Sequence, residues 1–189
     1  MNERIATWCV IFRQPDVARE YWAKLLAHDP ENTRVLAMIA HQDATEGKDH
    51  DAIAVYERIF KVTPEDKISW FNYGFLVQKQ GDHTKALEAF GKVLSMDEKL
   101  DRAWFGKGLS HVALQQHELA IEAFKKTNKL QPLSPHGYYE LAKVQHKIGD
   151  WDACEKTMRK VKEFDPKVAA QLEDETGIRV GVERWWAPR

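Results

Sequence analysis

Trp70-Phe71-Asn72-Tyr73-Gly74, followed by Ala86, Phe90 and Val93, returns 34 residues later as Trp104-Phe105-Gly106-Lys107-Gly108, followed by Ala120, Phe124 and Thr127. Within each copy the apolar and small residues recur three and four apart, the spacing that lines one face of a helix. The same step orders the flanks. Ala18, Ala52, Ala86 and Ala120, with Cys154 fifth, form one column, and Trp22, Tyr56, Phe90, Phe124 and Met158 form another four places on. Pro30, Pro64, Pro132 and Pro166 close the periods, with Glu98 the one exception, and no insertion breaks the register. A fixed period of this length marks a helical hairpin that buries its apolar face by stacking on its neighbours.

The pattern resembles the tetratricopeptide repeat, whose signature is a Trp, a Leu-Gly pair and a Tyr in the first helix, then Ala, Phe and Pro. The resemblance implies an all-α fold, a right-handed superhelical α-solenoid of antiparallel helix pairs. Five repeats fill residues 1–166, at about 1–32, 33–66, 67–100, 101–134 and 135–166. The first is truncated, with Asn2 to Phe12 as its shortened opening helix. Gly81-Asp82 and Gly149-Asp150 each combine a helix-stopping glycine with an Asp able to cap the next helix. Gln115-Gln116 replaces that pair in the fourth hairpin, so its turn is less firmly specified. Gly74, Gly108, Ala40 and Ala142 are expected to face Ala52, Ala86, Ala120 or Cys154, which lets paired backbones approach. Residues 167–177 read as a polar capping helix. In 178–189, Val180 and Val182 alternate with Arg179, Gly181 and Glu183, which suits an extended tail. Trp185 and Trp186 in that tail are expected to pack on protein, because each indole can bury ~150–250 Å².

Composition narrows the function. Aromatic residues at 11% with seven Trp argue for a packed core. A net charge of −1 gives no long-range attraction to nucleic acid or anionic lipid, so no nucleic-acid partner is expected. No run reaches membrane-spanning length, so no membrane insertion is expected. Cys9 and Cys154 lie in different repeats at core positions, which speaks against a disulfide framework or a zinc site and for a cytoplasmic setting.

No catalytic constellation, cofactor or metal is expected. Gly106-Lys107-Gly108 resembles part of a dinucleotide-binding turn but sits within a helix and lacks the third glycine and the strand. His41, Asp43, His50 and Asp51 read as solvated surface, although Asp43 takes a slot where the family has an aromatic. Lys156, Arg159, Lys160 and Lys162 are interleaved with Glu155, Glu163 and Asp165, the mark of a solvated face. The chain is therefore expected not to be an enzyme.

The binding surface is expected on the first helices of the repeats. Ile68, Phe71 and Phe75 form an apolar stripe about 100° from Trp70, Tyr73, Gly74 and Val77, and Phe105 and Leu109 repeat it. In the family this second stripe lines a peptide groove, so the resemblance implies a groove of Arg34, Met38, Ile68, Phe71, Asn72, Phe75, Lys79, Arg102, Phe105, Leu109, Tyr139 and Lys143. Family members that clamp acidic chaperone tails carry a particular Lys/Asn/Arg set. Here those positions are Ala37, His41, Asn72, Arg102 and Gly106, and only Asn72 and Arg102 are compatible. The groove instead suits an apolar or amphipathic segment, with Arg34, Lys79 or Arg102 beside its acidic groups. Function is accordingly read as a non-enzymatic adaptor, assembly factor or chaperone that binds a protein or peptide client. The second reading is a structural subunit that self-associates through Trp185, Trp186 and its apolar repeat ends.

Overall fold

The computed structural model describes residues 15–184 and 186. The expected opening helix over Asn2 to Phe12, Cys9 and Trp185 lie outside the described residues. Ten helices and no strand occur among those residues, in the order α1 Pro15–His28, α2 Thr33–Thr45, α3 Asp49–Val62, α4 Lys67–Lys79, α5 His83–Met96, α6 Asp101–Ala113, α7 His117–Leu130, α8 Pro135–Lys147, α9 Trp151–Phe164 and α10 Pro166–Thr176. The period survives to the residue: α2, α4, α6 and α8 each have 13 residues and α1, α3, α5, α7 and α9 each have 14.

Five of the described helix starts are encoded in single side chains. Asn32 accepts from the Val35 N–H at 3.1 Å, Asp66 from Ile68 and Ser69, Asp82 from Lys85, Asp150 from Ala153 and Asp165 from Val168. Such caps are each worth ~1 kcal/mol. Gly81 and Gly149 turn with φ of 85° and 79°, as their place before the caps demands. In the turn between α6 and α7, Gln115 takes φ 59°, and Gln116 makes no side-chain cap to α7.

The described residues divide into two compact units, one ending at Gly81 and the other beginning at Asp82. In unit 1, α1 and α2 enclose Ala18, Trp22 and Val35, with Tyr21, Leu25, Leu26, Met38 and Ile39 around them. Further along, Trp70 stacks flat on Phe60 at 3.7 Å, and Tyr73 meets both rings edge-on. Asp43 corrects the reading of a solvated surface. It is 5% exposed, and Arg19 reaches it from α1 at 2.6 Å. An ion pair thus fills the slot where the family carries an aromatic.

In unit 2 the tightest approaches are made by glycines. A Cβ on Gly108 would stand 2.5 Å from the Phe124 ring, and one on Gly106 equally close to the Phe90 ring. The small residue at Gly108 therefore makes room for the Phe124 ring of the paired helix. Between α8 and α9 the close approach is direct, with the Cys154 thiol donating to the Ala142 carbonyl at 3.3 Å. Lys107 lays its ammonium 5.4 Å from the centre of the Trp104 ring, a cation–π approach.

Candidate functional site

Within unit 1 a cleft runs between α2 and α4. Its wider part, ≈ 550 Å³, is lined from α2 by Thr33, Arg34, Ala37, Met38 and His41, and from the start of α4 by Asp66, Ile68, Ser69 and Asn72. His41 and Asn72 also border a second hollow of ≈ 220 Å³ that continues past Tyr56, Phe75 and Leu76 to Lys79. The two walls are helical stripes: Ile68, Asn72, Phe75 and Lys79 on α4, and Arg34, Met38, His41 and Thr45 on α2, are spaced by three and four.

Two apolar side chains in this cleft are left uncovered. Ile68 is 69% exposed and Phe75 57%, the highest values among the large exposed hydrophobic residues described in unit 1. Met38 is half-buried, with one side against the α1/α2 core and the other in the cleft. Polar groups along the walls are largely committed. The Ser69 hydroxyl donates to Asp66 at 2.8 Å, and Lys79 pairs with Asp49 at 2.7 Å. Burial pushes the Tyr56 phenol up, and a hydrogen bond from Asn72 works against that rise. Asn72 lines both hollows and stands at their junction.

The groove residues expected from sequence separate by location. Arg34, Met38, Ile68, Asn72, Phe75 and Lys79 line the cleft. Phe71, on the same helix, is half-buried and does not line it. Phe105 and Leu109 belong to unit 2, where both pack against the core of Ala120, Phe124, Leu141 and Val144, the Phe105 ring 5.8 Å from that of Phe124. Arg102 is exposed on α6. Tyr139 donates to Glu175 at 2.7 Å and accepts from Gln171, while Lys143 stands over its ring at 5.0 Å. Burial, and then the Glu175 carboxylate, push the Tyr139 phenol up to about 12. These two residues thus serve the seat of α10.

Sequence reasoning did not place Thr33, Ala44, Thr45, Tyr56, Asp66, Ser69 and Leu76 in the lining. The α2 spacing from Arg34 through Thr45 could have given the second wall. Among the described residues no group of three or more His, Cys, Asp or Glu could hold a metal ion, and no helix is long and apolar enough to cross a membrane.

The family pattern described as "Tetratricopeptide repeat" matches residues 45–97 and 76–135. Tetratricopeptide repeat protein 12 of Mus musculus is 30% identical over 114 residues, covering 58% of this chain and 16% of its own length. The chain thus spans about one sixth of that relative. Among solved structures, the MamA RS-1 ArsTM double mutant superposes with a TM-score of 0.81 at 20% identity, over 92% of this chain and 95% of that one. YrrB, described as a TPR protein with an unusual peptide-binding site, superposes with a TM-score of 0.69 at 16% identity, over 84% and 85%. At these identities the superpositions show the fold, an all-α arrangement of paired helices.

Proposed function

The chain belongs to the tetratricopeptide repeat family, and from that premise we propose that it is a non-catalytic adaptor, assembly factor or chaperone that holds an amphipathic peptide or helix of a client in the α2–α4 cleft. The observation that carries the reading is the pair Ile68 and Phe75, uncovered in the same cleft. Their spacing on α4, about two turns, matches two successive apolar anchors on a docked helix. The peptide-binding site in the description of YrrB supports it by analogy of fold. A cytoplasmic setting suits the free, buried Cys154 thiol.

Magnitudes set the demands on the client. Full burial of two such side chains supplies ~1.5–3 kcal/mol each, less than association costs of ~4–15 kcal/mol. The client must therefore bring further apolar contacts, with Met38 and Ala37 as their floor, and a hydrogen-bonding group for Asn72. An acidic group beside Lys79 competes with Asp49 for that ammonium.

The test is to pan a displayed peptide library against the full chain and measure the enriched peptides by calorimetry against Ile68→Ser/Phe75→Ser. Affinity should fall by roughly a hundredfold or more, with an unchanged circular-dichroism spectrum. Equal affinity for the variant places the binding surface elsewhere and sinks the reading.

A further inference from the structure

Gly177 ends α10 in the left-handed region, φ 74°, and turns the chain back on itself. Residues 178–184 then form a strap without helical structure against α9 and α10. Val180 is 5% exposed in a cluster with Ala142, Cys154, Met158 and Leu172, and Ile178 and Val182 flank it. The N–H groups of Val180 and Val182 donate to the same carboxylate oxygen, Glu173 Oε1, at 2.7 and 3.2 Å. Lys162 of α9 donates to the Val180 carbonyl at 3.0 Å. Arg184 closes the strap, donating to both oxygens of Asp174 at 2.9 and 2.7 Å and to the Ala170 carbonyl at 3.2 Å.

None of these contacts needs the segment to be covalently joined at Gly177. A carboxylate reading two alternate N–H groups, an ammonium reading a carbonyl and a socket for one β-branched side chain are how proteins recognise an extended peptide. The Glu173 side chain is 4% exposed, and its charge is compensated there by the strap's own N–H groups, with Arg179 and Arg184 each 3.6 Å away. Gly181 sits at φ 73°, between the two valines, a conformation that side-chain-bearing residues rarely adopt.

We propose that α8, α9 and α10 form a second peptide-binding socket, separate from the α2–α4 cleft, and that residues 178–184 are its tethered ligand. The ligand it takes is an extended segment of the pattern Val-Gly-Val-x-Arg. The first valine enters the socket, glycine supplies the left-handed turn, and arginine meets Asp174. A short tether holds the strap at an effective concentration of the order of millimolar, so the socket is masked until the strap lets go. This inference does not depend on the reading of the α2–α4 cleft.

Two full-chain variants open the site. Val180→Asp sets a second carboxylate against Glu173, and Arg184→Glu sets like charge against Asp174 at the surface, so the second carries the test if the first unfolds. Release is read as lost hydrogen-exchange protection of the Val182 amide. A fluorescently labelled heptapeptide, Ile-Arg-Val-Gly-Val-Glu-Arg, is then titrated into parent and variants by anisotropy. Saturable one-to-one binding is expected to the released variants. Binding to the parent should be weaker by roughly tenfold or more, and adding Glu173→Gln to a released variant should weaken it about tenfold or more. The proposal is overturned by equal binding to parent and released chains, by indifference to Glu173→Gln, or by no binding to a folded, released variant. It is also overturned if the Val182 amide stays protected in every folded variant, because the strap is then held by something other than these contacts.

Discussion

Gln115 stands at φ 59° where Gly47, Gly81 and Gly149 hold the turns of other hairpins. A left-handed residue with a Cβ costs ~1–2 kcal/mol, of which the extra freedom of an unfolded glycine takes back ~0.5–1. Gln115→Gly should therefore raise stability by on the order of 0.5–1 kcal/mol, read from the midpoint of urea unfolding. Gln116→Asp is less simple, because the new cap would replace the bond of 2.7 Å between Gln116 and His111 Nδ1. The weak turn was legible in sequence from the missing Gly-Asp pair alone. Asp43 was not, since the Arg19 that neutralises it lies on another helix, 24 residues earlier. Arg19→Ala leaves that buried carboxylate without its main partner and should cost ~1–3 kcal/mol. Arg19→Leu/Asp43→Phe, which restores the aromatic of the family, should come out neutral or stabilising. If the single variant melts like the parent, the ion pair is not what fills the slot.

The paired helices and their order were readable because the columns repeat at one step, and each repeat checks the others. Which helix faces remain open was only half readable. Phe71 and Phe75 have the spacing of Phe105 and Leu109, yet Phe75 is 57% exposed while Phe105 and Leu109 pack on the Phe124 core. Periodicity marks a face as apolar; it does not say what covers it, because that depends on the neighbouring element. The same holds for the α2 wall of the cleft, which exists only once α2 and α4 are placed side by side. Close helix approach carries its own prediction. Gly108→Ala puts a methyl 2.5 Å from the fully buried Phe124 ring, and Gly106→Ala does the same to Phe90. The rings cannot yield without moving a helix. The overpacking loss of ~1–3 kcal/mol should exceed the ~1 kcal/mol that alanine brings to helix propensity. Both variants should melt lower than the parent, whereas Ala at the open Gly91 should not.

At the scale of the whole molecule, the strap breaks the period, and charged groups hold it along with the buried Val180. Alternation in the sequence announced an extended tail, but nothing there joined Val180 and Val182 to Glu173, since such a bond follows from the turn at Gly177. Burial pushes the Glu173 carboxyl up, but the N–H groups of Val180, Val182 and Gly181 together with Arg179 outweigh it and hold the group below its ordinary 4.5. Asp174, beside Arg184, and Glu175, beside Tyr139, are held low as well. A carboxylate with a depressed folded-state pKa contributes stability that is fully present above its unfolded value and is lost as pH falls through the folded one. The strap should accordingly stay docked from neutrality down to about pH 4.5, the unfolded value, and loosen progressively below it. Protonation of Glu173 leaves the guanidinium groups of Arg179 and Arg184 facing a neutral group. Protection factors of the Val180 and Val182 amides, corrected for intrinsic exchange and followed from pH 7 to pH 3, report the loss directly. In Glu173→Gln both amides should already be less protected at pH 7, and the remaining acid dependence should be shallower because the Glu173 carboxylate no longer takes part in it. A parent strap whose protection is flat across that range would mean that Val180 burial alone holds it, and that Glu173 contributes nothing to its docking.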